Sequence, residues 1–305
     1  MRIAVVGAGG TGGYFGGLLA RAREDVTFIA RGTQLEALRA RGLTLESRLA
    51  GTFTVRVQAT DDPNVVGPVD LILFCVKTYD TDAAAERIRP DTMLLLLQNG
   101  IDNEERIARA NEHTSGIGAV AYVTSVIKAP GVIAQTSGPG KIIFGELSGG
   151  ASARTERLRD VLQGARIAAE VHPDIWVVLW QKFLFICAFS GVTAVSRLPI
   201  GTILADSATR ALFRGTSEEV EAVVRAGGID LPADCVEQAM VTAAAAEPWA
   251  HGSLYHDFAG GRRLELESLN GEVLRRGREH SVSTPLNFAI YAALRPYTDG
   301  TPASP

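Results

Sequence analysis

Cysteine is scarce: Cys75, Cys187 and Cys235 are the three in the chain, far apart and in apolar surroundings. They make no Cys-x-x-Cys pair and no even-numbered set, which excludes a disulfide-stapled scaffold and fits a reducing cytoplasm. Basic residues are not in excess. Thirty Lys and Arg face 34 Asp and Glu for a net charge of -4, with no dense basic cluster, so general nucleic-acid binding is disfavoured. There is no Gly-x-Ser-x-Gly elbow, which argues against a serine hydrolase. Histidines stand at His113, His172, His251, His256 and His280. His251 and His256 are five apart, off one helical face and without a third ligand, so no metal site is expected. The strand-like start Arg2 to Val6 runs straight into glycine, leaving no room for a charged leader and apolar signal core. A single apolar run approaches membrane-spanning length, Ile175 to Ala194, and Gln181 and Lys182 interrupt its middle. A charge in lipid costs several kcal/mol, so a buried helix carrying one functional cation is expected, and no membrane span.

What is present is a globular composition, 46% apolar and 21% charged, over 305 residues, long enough for two domains. Up to about residue 147, short β-branched runs alternate with Ala- and Arg-rich helical stretches, the pattern of a parallel sheet covered by helices. Strands are expected at Arg2 to Val6, Val26 to Ala30, Leu71 to Val76 and Met93 to Leu97, with Thr52 to Gln58 as a further strand. Gly118 to Ile127 and Val132 to Phe144, separated by Ala129-Pro130-Gly131, read as antiparallel additions. Beyond His172-Pro173 apolar residues recur at helical spacing. Helices are expected from Asp174 to Arg197, Ser207 to Ala226, Cys235 to Ala245, Leu264 to Glu279 and Pro285 to Leu294, followed by a frayed tail from Thr301. The reading is α/β: a Rossmann-type doubly wound sheet in residues 1–172 and an all-helical domain in 173–305.

The strongest motif is Gly7-Ala8-Gly9-Gly10-Thr11-Gly12, a G-x-G-x-x-G directly after a strand and directly before a helix. Gly7 permits the tight turn, Gly9 lets backbone approach a pyrophosphate, and Gly12 lets helix pack on strand. The helix amino terminus adds unpaired N–H groups and partial positive charge. An NAD site usually ends its second strand in an acidic residue, which binds the ribose diol. Here the strand ends Phe28-Ile29-Ala30-Arg31, and a guanidinium at that point suits a 2'-phosphate, so NADPH is favoured. Gly32-Thr33-Gln34 can add donors to the same phosphate, or Thr33 can simply cap a helix. Lys77 and Asn99 follow later strands, where open parallel sheets place their ligands. Lys77 is a candidate for ribose or phosphate oxygens and Asn99 for the nicotinamide or substrate.

In the second half, Lys182 stands alone in Trp176 to Cys187, an apolar stretch in which an ammonium is costly unless it faces a cleft or a carboxylate. Ser253, Asp257 and Glu265 follow on later segments. Spacing alone leaves a structural and a catalytic ion pair equally open.

With these residues in view the chain resembles the ketopantoate reductase (2-dehydropantoate 2-reductase) family over nearly its whole length. The matching pieces are Gly7 to Gly12, Arg31-Gly32, Val76-Lys77, Gln98-Asn99-Gly100, Trp180-Gln181-Lys182, Ser253 to Asp257, and Glu265 followed by Asn270-Gly271. The resemblance implies NADPH-dependent reduction of a 2-oxo acid to a 2-hydroxy acid, in pantothenate biosynthesis where the acid is ketopantoate. It places the reaction in a cleft between the Rossmann domain and a helical domain like that of 6-phosphogluconate dehydrogenases. It also implies roles: Lys182 as general acid, Glu265 as active-site carboxylate, Ser253 as substrate-binding hydroxyl and Asn99 as a cofactor and substrate contact.

The chain departs from the family where asparagines are usual, with Ile186 one turn after the lysine and Ile200 beyond the helix end. Apolar side chains there cannot bind a substrate hydroxyl, which brings in a more hydrophobic 2-oxo acid or ketone as a competitor. An opine-type dehydrogenase and a non-catalytic NADPH sensor are further alternatives. No arginine is singled out for the substrate carboxylate, Arg262 and Arg263 being merely near in sequence, and the apolar helices leave a homodimer open.

Overall fold

The computed structural model describes residues 1–88, 92–110 and 116–302; His113 and the last three positions of the expected tail lie outside these. The chain divides into two compact units, one of Met1–Gln98 and Asn103–Trp176, the other of Asn99–Asp102 and Val177–Pro305.

The first unit is built on a ten-stranded mixed sheet among the described residues. Its strands are β1 (Arg2–Val6), β2 (Asp25–Ile29), β3 (Leu43–Ser47), β4 (Gly51–Val55), β5 (Gln58–Thr60), β6 (Leu71–Phe74), β7 (Met93–Leu96), β8 (Gly116–Ala129), β9 (Val132–Glu146) and β10 (Ala168–Val171). They run in the order β4-β3-β9-β8-β7-β6-β1-β2-β5, with β10 beside β9. From β8 through β5 every neighbouring pair is parallel. β8 and β9 form the expected antiparallel pair around Pro130 and Gly131. Each parallel crossover needs a covering segment. The helices are α1 (Gly10–Arg21), α2 (Gly32–Arg41), α3 (Thr81–Ala85), α4 (Asn103–Ala110) and α5 (Ala153–Gly164).

Helix α1 sits tightly on the sheet because glycines occupy its inward positions. A Cβ at Gly13 would fall 2.5 Å from the Ile133 side chain, one at Gly16 2.7 Å from the Phe28 ring, and one at Gly17 2.7 Å from Leu43. The sheet side answers with Ile3, Val5, Phe28, Leu43 and Phe144, all fully buried. Two expectations for this unit are corrected. Thr52 to Gln58 is not one strand but the end of β4 and the start of β5, and β3 had not been foreseen. In β3, Leu43 and Leu45 alternate with polar neighbours, but the strand is short and follows α2 directly, so helical spacing masked it.

The second unit is helical: α6 (Ile175–Ser196, from Val177 onward), α7 (Ile200–Ala205), α8 (Ser207–Ala226), α9 (Cys235–Ala245), α10 (Ser253–Ala259), α11 (Glu272–Glu279) and α12 (Pro285–Leu294). Among the described residues α6 is the one helix long and apolar enough to cross a bilayer, but 61% of its apolar window is buried within the protein. It is the core helix. It stops at Arg197, whose φ of 57° is left-handed, and Pro199 then opens α7. Asp206 caps α8 by accepting from the amides of Ala208 (3.0 Å) and Thr209 (2.9 Å). The expected helix from Leu264 to Glu279 is also corrected. Its first part is a non-helical segment and a wide turn over Glu267–Gly271, broken at Leu269 (φ -114°, ψ -106°), and a regular helix begins at Glu272. The short helices α7 and α10 were missed because Pro199, Pro248 and Gly252 dominate the local signal.

Gly16→Ala is expected to destabilise the protein by about 1–3 kcal/mol, through overpacking of α1 on Phe28 and Val5. Urea denaturation measures this, and unchanged stability would mean that α1 does not seat on the sheet as described.

Candidate active site

At the amino-terminal end, β1 delivers the chain into Gly7, whose φ is 99° and whose amide bonds to the Ile29 carbonyl at 3.2 Å. A side chain there is excluded twice, by the left-handed backbone and because a Cβ would lie 2.8 Å from the Cys75 carbonyl group. Gly12 is held as closely, a Cβ there falling 2.1 Å from the Gly7 oxygen. Gly9 differs, for nothing lies within 4 Å of where its Cβ would be. It is the N-cap of α1, with no side-chain cap and no acidic residue in the first turn. The positive end of α1 therefore opens on unfilled space beside Gly9 and half-buried Thr11, the geometry a pyrophosphate needs. Gly10 turns the other way: a Cβ would meet the Ser125 carbonyl of β8 at 2.0 Å, so this glycine serves packing.

Arg31 is exposed at the carboxyl end of β2, at the N-cap position of α2. Gln34, a candidate phosphate donor by sequence, is used otherwise. Its amide donates to the Ala8 carbonyl in the glycine loop (3.0 Å) and accepts from the Gly131 amide (2.9 Å), tying that loop to the β8–β9 hairpin. Lys77 is half-buried just beyond β6, its carbonyl accepting from Asp80 N at 2.8 Å. The next loop is fastened to it by Gln98, which donates to the Val76 carbonyl (2.9 Å) and to Thr81 Oγ1 (2.8 Å). Gln34 and Gln98 are roles that sequence reasoning missed, since an amide one residue from a motif carries no periodic signal.

The helical unit assembles the remaining candidates. Lys182 is half-buried on α6, and loss of hydration lowers its amine from 10.5 to about 8. Trp180, Phe183 and Leu184 beside it in sequence are buried. Glu265 is buried between Leu264 and Leu266, both in the apolar core, with the Leu264 amide bonded to Thr298 O at 2.8 Å. Ser253 is the exposed first residue of α10. The start of α10 is pinned to α6, for Thr193 Oγ1 donates to the Phe189 carbonyl (2.7 Å) and accepts from the Gly252 amide (3.0 Å). Gly252 is obligatory here, since a Cβ would stand 2.4 Å from Ser190 Cα. Residues Asn99 to Asp102 also belong to this unit, with Ser268 Oγ and Asp102 Oδ2 at 3.4 Å. Asn99 is therefore grouped with the lysine-bearing helix and not with the sheet that precedes it.

The two departures separate. Ile186 is half-buried one turn beyond Lys182, whereas Ile200 is 1% exposed in the core beside Val192, Ile203 and Phe213. Position 200 is thus a packing position, and the expected loss of a substrate-binding amide does not follow from it. Arg262 pairs with Asp257 at 2.9 Å and Arg263 with Asp299 at 3.4 Å, so both guanidiniums have carboxylates at hand. The described residues contain no cluster of three or more His, Cys, Asp or Glu side chains fit to hold a metal.

A glycine-loop sheet unit joined to a helical unit carrying a lysine, a carboxylate and a serine defines a class: an oxidoreductase acting on a CH–OH group with a nicotinamide cofactor. The description "Ketopantoate reductase PanE/ApbA" matches residues 3–149 and "Ketopantoate reductase PanE/ApbA C terminal" matches residues 174–298. The chain belongs to the ketopantoate reductase family. It is 31% identical over 299 residues to a 2-dehydropantoate 2-reductase of Caulobacter vibrioides, covering 96% of this chain and 97% of that one. Among solved structures, a PanE/ApbA family ketopantoate reductase from Ralstonia eutropha JMP134 superposes with a TM-score of 0.90 at 32% identity, covering 98% of both chains. A D-mandelate dehydrogenase with NADH and anilino(oxo)acetate shares the fold, with a TM-score of 0.88 at 20% identity over 98% of both chains.

Thr193→Val should cost about 1–3 kcal/mol, because it leaves the buried Gly252 amide without its acceptor. Thermal or urea unfolding reads the loss, and wild-type stability in this variant would show that the hydroxyl does not anchor α10.

Proposed function

We propose that the protein is an NADPH-dependent reductase of a 2-oxo acid, with ketopantoate, reduced to pantoate, as the first substrate to test. In this reading residues 1–172 serve the cofactor and 173–305 the substrate, with Asn99 of the first part also reaching the substrate, in a cytoplasmic enzyme. The observation that carries it is the half-buried ammonium of Lys182 on apolar α6, in the same helical unit as Glu265 and Ser253. An ion so costly to desolvate is retained where a developing negative charge must be met.

When bound, NADPH supplies the hydride to the carbonyl carbon. The amides at the start of α1, opened by Gly7, Gly9, Gly10, Thr11 and Gly12, would hold its pyrophosphate, with Arg31 on the 2'-phosphate and Lys77 on ribose or phosphate oxygens. Lys182 donates a hydrogen bond to the carbonyl oxygen and transfers its proton as that oxygen gains charge, giving the 2-hydroxy acid; solvent then reprotonates the amine. Glu265 orients the ammonium or accepts from the product hydroxyl, and Ser253 and Asn99 position the substrate.

Ile186 supports a second reading, a more hydrophobic 2-oxo acid, because a side chain without donors beside the lysine favours an apolar substituent over a hydroxyl.

Lys182→Ala should lower turnover by about a hundredfold or more. In the wild type, reduction should decline as pH rises through about 8, because the amine must be protonated to act as an acid and burial has lowered it to that value. Initial rates across pH test both, and near-normal turnover of folded Lys182→Ala refutes the role. A panel of 2-oxo acids, from ketopantoate to bulkier apolar acids, followed by NADPH absorbance for wild type, Arg31→Ala and Ile186→Asn, decides cofactor and substrate. Arg31→Ala should weaken NADPH more than NADH, and Ile186→Asn should improve ketopantoate over the apolar acids. Tight NADPH binding without oxidation by any acid tested would overturn the enzymatic reading in favour of a sensor.

A further inference from the structure

Beyond the proposed proton donor, the helical unit contains a buried polar chain that holds the Glu265 segment against the Lys182 helix. Asn270, in the broken turn five residues after Glu265, is fully buried. Its Nδ2 donates to the carbonyl of Cys187 on α6 at 3.4 Å and to Asn287 Oδ1 on α12 at 2.9 Å. Asn287 donates in turn to the Thr216 carbonyl (3.2 Å) and to the Glu219 carboxylate (2.8 Å) of α8. That carboxylate also accepts from the backbone amides of Leu286 (2.7 Å) and Asn287 (2.9 Å), which fixes the start of α12. Gly191 on α6 makes the space: a Cβ there would lie 3.1 Å from Asn270 Oδ1.

As a device for stability this is a poor arrangement. Asn270 Oδ1 is buried and has no hydrogen-bond partner among the described residues, and an orphaned acceptor costs about 1–3 kcal/mol. Apolar side chains of similar size at 270 and 287 together would remove that cost, whereas an apolar residue at 270 alone exchanges it for an orphaned Asn287 Oδ1, so the amide pair yields little net stability. What an amide provides and a methyl group does not is register, since its two donors accept one seating of the turn on α6 and no other. The backbone around it needs such a clamp, because Leu269 interrupts the helical bonding just before Asn270. Each end of the clamp is close in sequence to a candidate for the chemistry. Cys187 lies five residues after Lys182 on a continuous helix, and Asn270 five residues after Glu265.

We propose that Asn270, anchored through Asn287 and Glu219, is a positioning residue that sets Glu265 in register with Lys182. The inference rests on the reading of those two residues as the reductase's proton-handling pair. Asn270 itself touches neither substrate nor cofactor in this scheme.

The test uses the full-length protein with Asn270→Leu, a near-isostere without donors, and Asn270→Ser as a smaller second variant should the first fail to fold. Three quantities are read: NADPH bound per molecule and its Kd by nicotinamide fluorescence, kcat and KM for the best 2-oxo acid, and the pH midpoint of Lys182. The last comes from pH-dependent acetylation of that amine followed by mass spectrometry and requires no turnover. Full NADPH binding with wild-type Kd is expected, while kcat per bound NADPH falls about tenfold to a hundredfold, as small misplacements of reacting groups produce. The Lys182 midpoint should move by about one unit from its wild-type value near 8, as its surroundings loosen. A variant with wild-type kcat per bound NADPH and an unmoved midpoint overturns the proposal. So does a loss of activity matched by an equal loss of NADPH-binding molecules with the midpoint unmoved, since that is the behaviour of a merely structural residue. If the wild type reduces no 2-oxo acid, the functional reading fails by itself, and the midpoint comparison alone then supports or overturns the clamp.

Discussion

Placing an ammonium on a helix rich in Val, Leu, Ile, Phe and Trp costs free energy, and much of the helical unit can be understood from how that cost is managed. The chain does not avoid it by letting Lys182 reach fully into water. The side chain stays half-buried, and its amine is shifted down to about 8, within reach of neutral pH. An amine in that range keeps its proton at neutrality yet holds it less firmly than an exposed lysine does, as the proposed role of proton donor requires. The surroundings must then be held still, since a loose apolar wall would admit water and return the amine to its ordinary value. Thr193 pins the start of α10 to α6, and Asn270 joins the Glu265 turn to the same helix.

The sheet unit solves a different problem with a different residue. There the requirement is space, and glycine supplies it on both sides of one helix end. Gly7 and Gly12 let β1, the β6 end and α1 approach more closely than any side chain allows, while Gly13, Gly16 and Gly17 seat the helix on Ile133, Phe28 and Leu43. Only Gly9 opens outward, and the consequence is an uncapped helix end with its amides available to an anion. With Gly10, which packs on β8, the same residue type thus acts as packing at six positions and as an opening at one, a division that follows from which neighbours surround each.

Much of this was legible beforehand. The alternation of β-branched and helical runs announced a parallel sheet, and the strand-glycine-helix order announced the tight turn at Gly7 into α1. Helices α8 and α9 begin and end where their apolar spacing does. What escaped were features whose cause lies far away in sequence. β3 pairs with β9, some ninety positions on, and its short apolar alternation means little until that partner is in place. The turn at Leu269 lies in a helical pattern but departs from it, next to Asn270, which bonds to Cys187 and Asn287. Ile200 looked like a specificity position by spacing from Lys182, and the fold puts it in the apolar core instead.

Local chemistry in the sequence therefore pointed to the class of protein: the glycine spacing between strand and helix and the apolar helical spacing of the second half each carry their reason within a few residues. Tertiary structure alone decided which of the candidates are held by what. Gln34, Gln98, Thr193 and Asn270 act through side-chain hydrogen bonds to segments distant in the chain. Such a bond depends on one donor meeting one acceptor in three dimensions, and it leaves no periodicity in the sequence from which it can be read.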